Sequence, residues 1–325
     1  RRSWFGCHIH SCVGAKVDGN KRGHVATAAS NIVHVAGSPQ SATAPKFAKT
    51  YGIGRVWDDP MALAADKDAW DAIVIASSTN STIGLLAAAM STGKPVLAEK
   101  PIGHTSSSLD PLLTSTENVL VGFNRRFYSS VQEAKRFITS GAPCLLHLEL
   151  PESVQVDTET GSRDLSRVTT NSTHGLDLIN YITGGLTIES VYSVGVAGDK
   201  QGKVLIAKSQ RGDLCSVSAN WNAPANFSLT IDRGDERFEL RPLEMGALYR
   251  GMEVASPTPE TPMRTYKPIK VINFVPSGDD STLKPGFLGQ CQALMNKIEG
   301  KHSDVAATLH DAKIALQFAE ALISG

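Results

Sequence analysis

Two side chains stand out for the chemistry their types and settings allow. Lys100 lies in Leu97-Ala98-Glu99-Lys100-Pro101, where a short apolar run gives way to a carboxylate, an amine and a proline. An amine withdrawn from water binds its proton less tightly and becomes able to accept one from a hydroxyl. Pro101 biases the residue before it to an extended backbone, which helps hold the direction of Lys100. His174, in Asn171-Ser172-Thr173-His174-Gly175-Leu176-Asp177-Leu178, suits proton transfer or the binding of a hydroxyl; a helix-capping or core histidine is the plainer alternative. Asn171 is placed to orient the ring or to bond a hydroxyl. Asn124 and Arg125 follow an apolar run, and a planar guanidinium there suits a carboxylate or phosphate, with an ion pair between domains as the alternative. The small polar residues Ser77, Ser78, Thr79 and Asn80 serve either a ligand or the cap of a helix, the cap falling to Thr79, Asn80 or Ser81. Arg163, Asp164 and Arg167 are placed over the pocket by sequence position alone. Cys7, His8, His10 and Cys12 are metal-ligand types, but their spacing fits no standard zinc pattern, and a strand would put Cys7 and His8 on opposite faces. No metal site is expected.

These residues need elements to position them. Strands are predicted at Asn31–Gly37, Ala72–Ala76, Val96–Ala98 and Val119–Phe123. Helices are predicted at Ala44–Tyr51 and Ser81–Ser91, and a further one at Gly23–Asn31. Apolar strands alternating with helices imply right-handed crossovers and a doubly wound parallel sheet, in which chemistry gathers at the carboxyl ends of the strands. Lys100 and the Ser77–Asn80 stretch stand at such ends. After Asn124 the texture changes. Helices at 130–140 and 174–182 accompany strands at 145–150, 191–196, 204–208, 215–221, 227–232 and 237–240, with a polar loop from Glu152 to Arg167 and closing helices at 286–298 and 309–323. Consecutive strands without intervening helices predict a largely antiparallel sheet whose open face can self-associate. The expected architecture is therefore α/β, a Rossmann-type domain over 1–123 followed by an α+β domain over 124–325.

The chain has 325 residues, and its Lys+Arg and Asp+Glu totals are equal at 32 each. No global field draws it to nucleic acid or a membrane surface, so specificity is expected from a local pocket. No run approaches the roughly 18 apolar residues that span a bilayer. The start, Arg1-Arg2-Ser3-Trp4, lacks the apolar core of a signal peptide, and five scattered cysteines argue against a disulfide framework. A reducing cytoplasm is the expected setting.

Three motifs in register carry a family likeness. Glu99-Lys100-Pro101 follows one buried strand, Gly122-Phe123-Asn124-Arg125-Arg126-Phe127 follows the next, and Asn171 to Leu178 opens a helix. In that order and spacing they resemble the glucose–fructose oxidoreductase/inositol dehydrogenase (Gfo/Idh/MocA) family. The likeness extends from about Gly23 to the end, through Pro285-Gly286-Phe287 and Leu309-His310-Asp311-Ala312. It implies an oxidoreductase that transfers hydride between NAD or NADP and a sugar, cyclitol or related polyol, nucleotide-linked ones included. It implies that Lys100 and His174 share the reacting oxygen, neither being assigned as sole base. It further implies that Ser77, Ser78, Asn80, Glu99, Lys100 and Pro101 line the cofactor, and that Asn124, Arg125, Asn171 and His174 face the substrate.

The sequence departs from the family pattern at two places. The acid commonly found four residues before the histidine is Thr170 here. The glycine-rich phosphate turn is irregular, with Gly14, Gly19 and Gly23 at unusual spacing; Gly14 and Gly19 are the expected phosphate contacts, with Lys21 and Arg22 as charge partners. The second strand ends Ala36-Gly37-Ser38 without a carboxylate. A carboxylate about 4 Å from a 2′-phosphate would be repelled by about 4 kcal/mol at an effective dielectric of about 20, so this ending, with Ser38 as a donor, favours NADP. Two other readings stand beside this one: a redox-neutral enzyme that keeps the cofactor and recycles its hydride (epimerisation, elimination or glycoside cleavage), and, favoured by the irregular glycine turn and the missing acid, a non-catalytic binding or regulatory homologue.

Overall fold

A strand buried on both faces needs an unbroken apolar run, and Ala72-Ile73-Val74-Ile75-Ala76 supplies one. In the computed structural model this run is a strand in which Ile73 and Ile75 are fully buried. The structure describes residues 11–17, 30–37, 43–156, 163–195, 202–276, 281 and 283–324. The chain folds as two units, one of Arg1–Phe127 with Gly286–Gln317, the other of Tyr128–Pro285 with Phe318–Gly325. A late segment of the chain thus belongs to the first unit, which is not one continuous stretch.

The first unit begins with β1 (Ser11–Val17), β2 (Ser30–Gly37), α1 (Thr43–Tyr51), β3 (Arg55–Trp57), α2 (Pro60–Ala65), β4 (Ala72–Ala76), α3 (Thr79–Met90), β5 (Val96–Ala98) and β6 (Val119–Val121). Its sheet has the order β3-β2-β1-β4-β5-β6, with β2–β3, β4–β5 and β5–β6 parallel. β1 runs antiparallel to both β2 and β4. Neither β3 nor α2 is expected from periodicity, although α2 carries a start signal: Asp59 Oδ1 accepts from the Met61 amide at 2.8 Å and Pro60 takes the first helical position. Trp70 is fully buried beneath α2 and donates its indole N–H to the Leu63 carbonyl at 2.8 Å.

The second unit contains α4 (Ser129–Thr139), β7 (Leu145–Glu149), the short pair β8 (Gln155–Val156) and β9 (Arg163–Asp164), a π-helical turn at Val168–Ser172, α5 (Thr173–Thr183), and β10 to β16. The last seven strands span Leu186–Val194, Gly202–Ser209, Leu214–Asn220, Ser228–Arg233, Glu236–Leu240, Gly246–Ala255 and Thr265–Phe274. The eight-stranded sheet has the order β10-β11-β12-β7-β13-β14-β15-β16, antiparallel throughout except where β7 meets β12. α4 buries Val131, Ala134, Phe137 and Ile138, a helical stripe, and Phe137 packs against Phe238 of β14 with ring centroids 5.8 Å apart. Every residue of α5 is buried. A β-carbon on Gly175 would lie 2.7 Å from Leu150 Cδ2, so the glycine is what lets α5 approach the sheet so closely.

The chain then returns to the first unit with α6 (Phe287–Ile298) and the start of α7 (Leu309–Ser324). Leu309, Ala312, Ala315 and Leu316 complete the core around Ile73, Val96 and Val121, and Leu294 packs on Ala72 and Leu97. The Val121 amide donates to the Ala307 carbonyl at 2.8 Å, fastening this returning segment to the last strand.

Candidate active site

Because β2 and β4 both run opposite to β1, the carboxyl ends of β2, β4, β5 and β6 share one edge of the sheet. Ile75, Ala98 and Val121 are in register across three of them. Glu99 continues the pattern, its amide donating to the Ile75 carbonyl at 2.8 Å, and Gly122 does the same with the Ala98 carbonyl at 2.8 Å. The Glu99 carboxylate lies against Gly122: a β-carbon there would stand 2.6 Å from Oε2, 2.7 Å from Cδ and 2.9 Å from Oε1. Glu99 Oε1 also accepts from Gln290 Nε2 of α6 at 2.9 Å. The acid beside Lys100 is thus held from two sides, and the glycine opening the second motif has a steric purpose. Lys100 is partly buried, its bond to Pro101 is cis, and Ile102 beyond it is fully buried. Burial, and then the charge of Glu99, push the nearby Cys291 thiol up to about 12.

Asn124 is buried at the start of a 3-10 turn, Asn124–Phe127, and Arg125 is partly buried. Sequence reasoning missed Arg126. It is 3% exposed and pairs with Asp311 at 3.0 Å. Burial opposes ionisation of Asp311, but Arg126 and the Thr308 amide outweigh it and hold the carboxyl below its ordinary value. This pair ties the second motif's turn to α7.

Ser77 and Ser78 follow β4 on the same edge. The N-cap of α3 is Ser78, not Thr79, Asn80 or Ser81. Its carbonyl accepts from the Ser81 and Thr82 amides at 2.9 and 3.1 Å, and its hydroxyl pairs with Ser81 Oγ at 3.2 Å without capping an amide. Ser77 Oγ bonds Thr82 Oγ1 at 2.9 Å, and Asn80 Oδ1 bonds His104 Nε2 at 2.7 Å. The edge therefore combines small polar groups with the amino end of a twelve-residue helix, a setting that favours negative charge.

Gly14 requires a correction. It lies inside β1, paired with His34 and Ile73, and not in a phosphate turn. Since Ser11 faces Gly37 and Ala76 while Val17 faces Ser30, the chain leaves β1 at the edge opposite Glu99. Backbone pairing of β1 with β2 on one side and β4 on the other takes the place of a turn at Gly14. Gly19, Lys21, Arg22, Gly23, Ser38, Cys7, His8 and His10 lie outside the described residues. Among the described residues no group of three or more His, Cys, Asp or Glu side chains is arranged to hold a metal.

His174 belongs to the second unit. It is the second residue of α5, is 8% exposed, and is followed by the buried Asp177. Immediately ahead is the π turn, and beneath that turn lies a carboxylate absent from the sequence reading, Glu152. It accepts from Asn171 Nδ2 at 2.8 Å, Ser172 Oγ at 3.0 Å and Arg167 Nε at 2.9 Å. Arg167 is thereby paired with Glu152. Asp164 Oδ1 accepts from the Ser166 amide at 2.9 Å, a turn contact whose hydrogen bond holds its carboxyl below the ordinary value. The sequence signal for Glu152 was slight: one acid after the apolar end of β7.

Residues 13–120 match the model of a family described as the oxidoreductase family with an NAD-binding Rossmann fold, GFO_IDH_MocA. Over these residues, about a third of its length, the chain is similar to that family. A myo-inositol 2-dehydrogenase from Thermotoga maritima is 27% identical over 202 residues, covering 56% of this chain and 58% of that protein. The chain thus matches under two thirds of that relative's length. Among solved structures, a UDP-N-acetylglucosamine 3-dehydrogenase from Acidithiobacillus ferrooxidans superposes with a TM-score of 0.66 at 17% identity, over 90% of this chain and 88% of that one. A myo-inositol dehydrogenase from Lactobacillus casei, in complex with NAD(H) and myo-inositol, gives 0.61 at 16% identity, over 90% and 86%. These likenesses establish a shared fold. No helix of the described residues is long and apolar enough to cross a membrane.

Proposed function

We propose that the chain is an NAD(P)-dependent dehydrogenase acting on a CH–OH group of a sugar, cyclitol or related polyol. The observation that carries this reading is the fixed Glu99-Lys100-Pro101 segment at the carboxyl end of β5, with Glu99 clamped by Gln290 and seated on Gly122. Ser77, Ser78, Asn80 and the start of α3 on the same edge fit the nicotinamide half of a dinucleotide. Gly14, inside β1, does not fit the pyrophosphate turn. A bound nicotinamide would supply the hydride exchange. Lys100 Nζ takes or returns the hydroxyl proton, and Asn124 and Arg125, which follow β6 on the same edge, suit the substrate's polar groups; the family resemblance gives Asn171 and His174 the same role. We further propose NADP over NAD, because β2 ends Ala36-Gly37 without an acid, and a cytoplasmic setting. Self-association through the second unit's sheet is supported by Tyr192, Val194, Met252, Val254 and Tyr266, all exposed on β10, β15 and β16.

The position of Gly14 specifically favours a second reading, a binding homologue that holds no dinucleotide. One experiment separates the two: titration with NADPH and NADH for binding, then reduction of NADP+ and NAD+ by myo-inositol, followed by absorbance at the reduced nicotinamide band. Binding with turnover supports the dehydrogenase, tighter binding of NADPH supports the cofactor preference, and no binding of either supports the second reading. Binding without net absorbance change, accompanied by an altered polyol, marks redox-neutral chemistry.

A further inference from the structure

Glu152 is 2% exposed, yet neither the motifs nor the proposed reaction uses it. Its carboxylate receives four donors, two on each oxygen. Oε1 accepts from Arg167 Nε at 2.9 Å and the Ser153 amide at 3.2 Å; Oε2 accepts from Asn171 Nδ2 at 2.8 Å and Ser172 Oγ at 3.0 Å. Its main chain is fastened as well, its amide to the Leu150 carbonyl and its carbonyl to the Asn222 amide, both at 2.9 Å. Asn222, at φ 61°, brackets Val154 with both ends of its own amide, at 2.9 and 3.0 Å. Among the described residues its charged partner is Arg167, 55% exposed. A buried carboxylate held largely by neutral donors adds little stability over an apolar replacement, which points to a role in specifying geometry.

The geometry it specifies is local. Asn171 and Ser172 are the last two residues of the π turn, which runs directly into α5, where His174 is the second residue. A π turn adds a residue to the helical ladder and is found disproportionately at functional positions. An ionised carboxylate can only accept hydrogen bonds. Glu152 therefore decides which way the Asn171 amide faces: Nδ2 toward Glu152, with Oδ1 left as the acceptor. A glutamine, offering one donor and one acceptor, cannot impose that choice.

We propose that Glu152 is a positioning residue, which locks the π turn ahead of His174 and sets Asn171 to present its carbonyl oxygen as the acceptor for a substrate hydroxyl. The inference rests on the dehydrogenase reading for its substrate, and on the second unit alone for its geometry.

The test is a cycle of Glu152→Gln, Asn171→Ala and the double variant, with Glu152→Asp as a conservative control that keeps the charge. The measurements are kcat and KM for myo-inositol, the Kd for NADPH, and amide hydrogen exchange across residues 166–176. Glu152→Gln should lower kcat/KM at least tenfold, mainly through KM, with the NADPH Kd within twofold of wild type. Exchange should quicken at least tenfold across 168–174 and stay unchanged in β11 to β13. Glu152→Asp should recover part of the loss, and adding Asn171→Ala to Glu152→Gln should cost less than twofold more. Fully additive losses, or exchange across 168–174 unchanged in Glu152→Gln, overturn the proposal. If wild type turns over no myo-inositol, the substrate reading fails separately, and the exchange comparison alone decides for or against the clamp.

Discussion

Gly122→Ala is the smallest change that should disturb the Lys100 segment. The added β-carbon would sit 2.6 Å from Glu99 Oε2 and 2.7 Å from its Cδ, below any normal carbon contact. Glu99 is not a loose side chain that swings aside freely, because its Oε1 holds Gln290 Nε2 at 2.9 Å and its amide is bonded to Ile75. If the carboxylate turns away, a hydrogen bond to a charged group is lost, about 1.5–3 kcal/mol. If the end of β6 moves instead, overpacking costs about 1–3 kcal/mol. Either route predicts a loss of about 2 kcal/mol, or a Tm lower by roughly 4–8 °C for a unit of this size. Urea unfolding and thermal melts measure it. Gln290→Ala breaks the same hydrogen bond, so Gly122→Ala should cost less in that background than in wild type, a departure from additivity expected of groups that share a contact. A Gly122→Ala protein within about 0.5 kcal/mol of wild type, the range of ordinary surface changes, would refute the steric argument and with it the account of how Glu99 is held.

Three further outcomes follow from the same geometry. The Asp311 carboxyl sits below its ordinary value of 3.8 in the fold, so its contribution to stability is complete above that pH and fades as pH falls below it; acid titration of unfolding should show this slope, and Asp311→Asn should flatten it. Arg126→Met should cost about 3 kcal/mol in urea unfolding, because it leaves a partly buried carboxylate without its guanidinium. Cys215 and Cys291, both pushed up to about 12 chiefly by burial, should resist iodoacetamide at pH 8 in the folded chain and react after unfolding, as read by peptide mass mapping.

The α/β part was legible because burial on both faces leaves a simple mark. The run Ala72–Ala76 is β4 to the residue, and the Ala- and Leu-rich segment after it is α3 with its start two residues earlier than expected. The long hairpin of β15 and β16 was not legible. Its residues are exposed on both faces along most of their length, so no alternation of apolar and polar side chains marks it, and Pro268 argues against a strand. Pro268 is tolerated because β16 is the outermost strand of its sheet. Periodicity also marks α6 and α7 as helices without saying what they cover; the packing of Leu294 on Leu97 is a long-range fact. At the site, Lys100 and His174 could be singled out because their neighbours form short motifs. Glu152 escaped because its donors lie up to 20 residues away, across a turn whose register sequence does not encode. Gly14 misled because a glycine near the start of a chain signals a turn, whereas here strand pairing on both sides decides its conformation.

The central claim concerns Lys100, and its most direct test is Lys100→Ala measured two ways on one preparation: NADPH binding by fluorescence, and polyol-dependent nicotinamide reduction by absorbance. The account predicts a cofactor Kd within a few-fold of wild type and a rate lowered by about 10²–10⁴, the usual contribution of a positioned proton-transfer group. A variant that keeps its rate within a few-fold of wild type would contradict it.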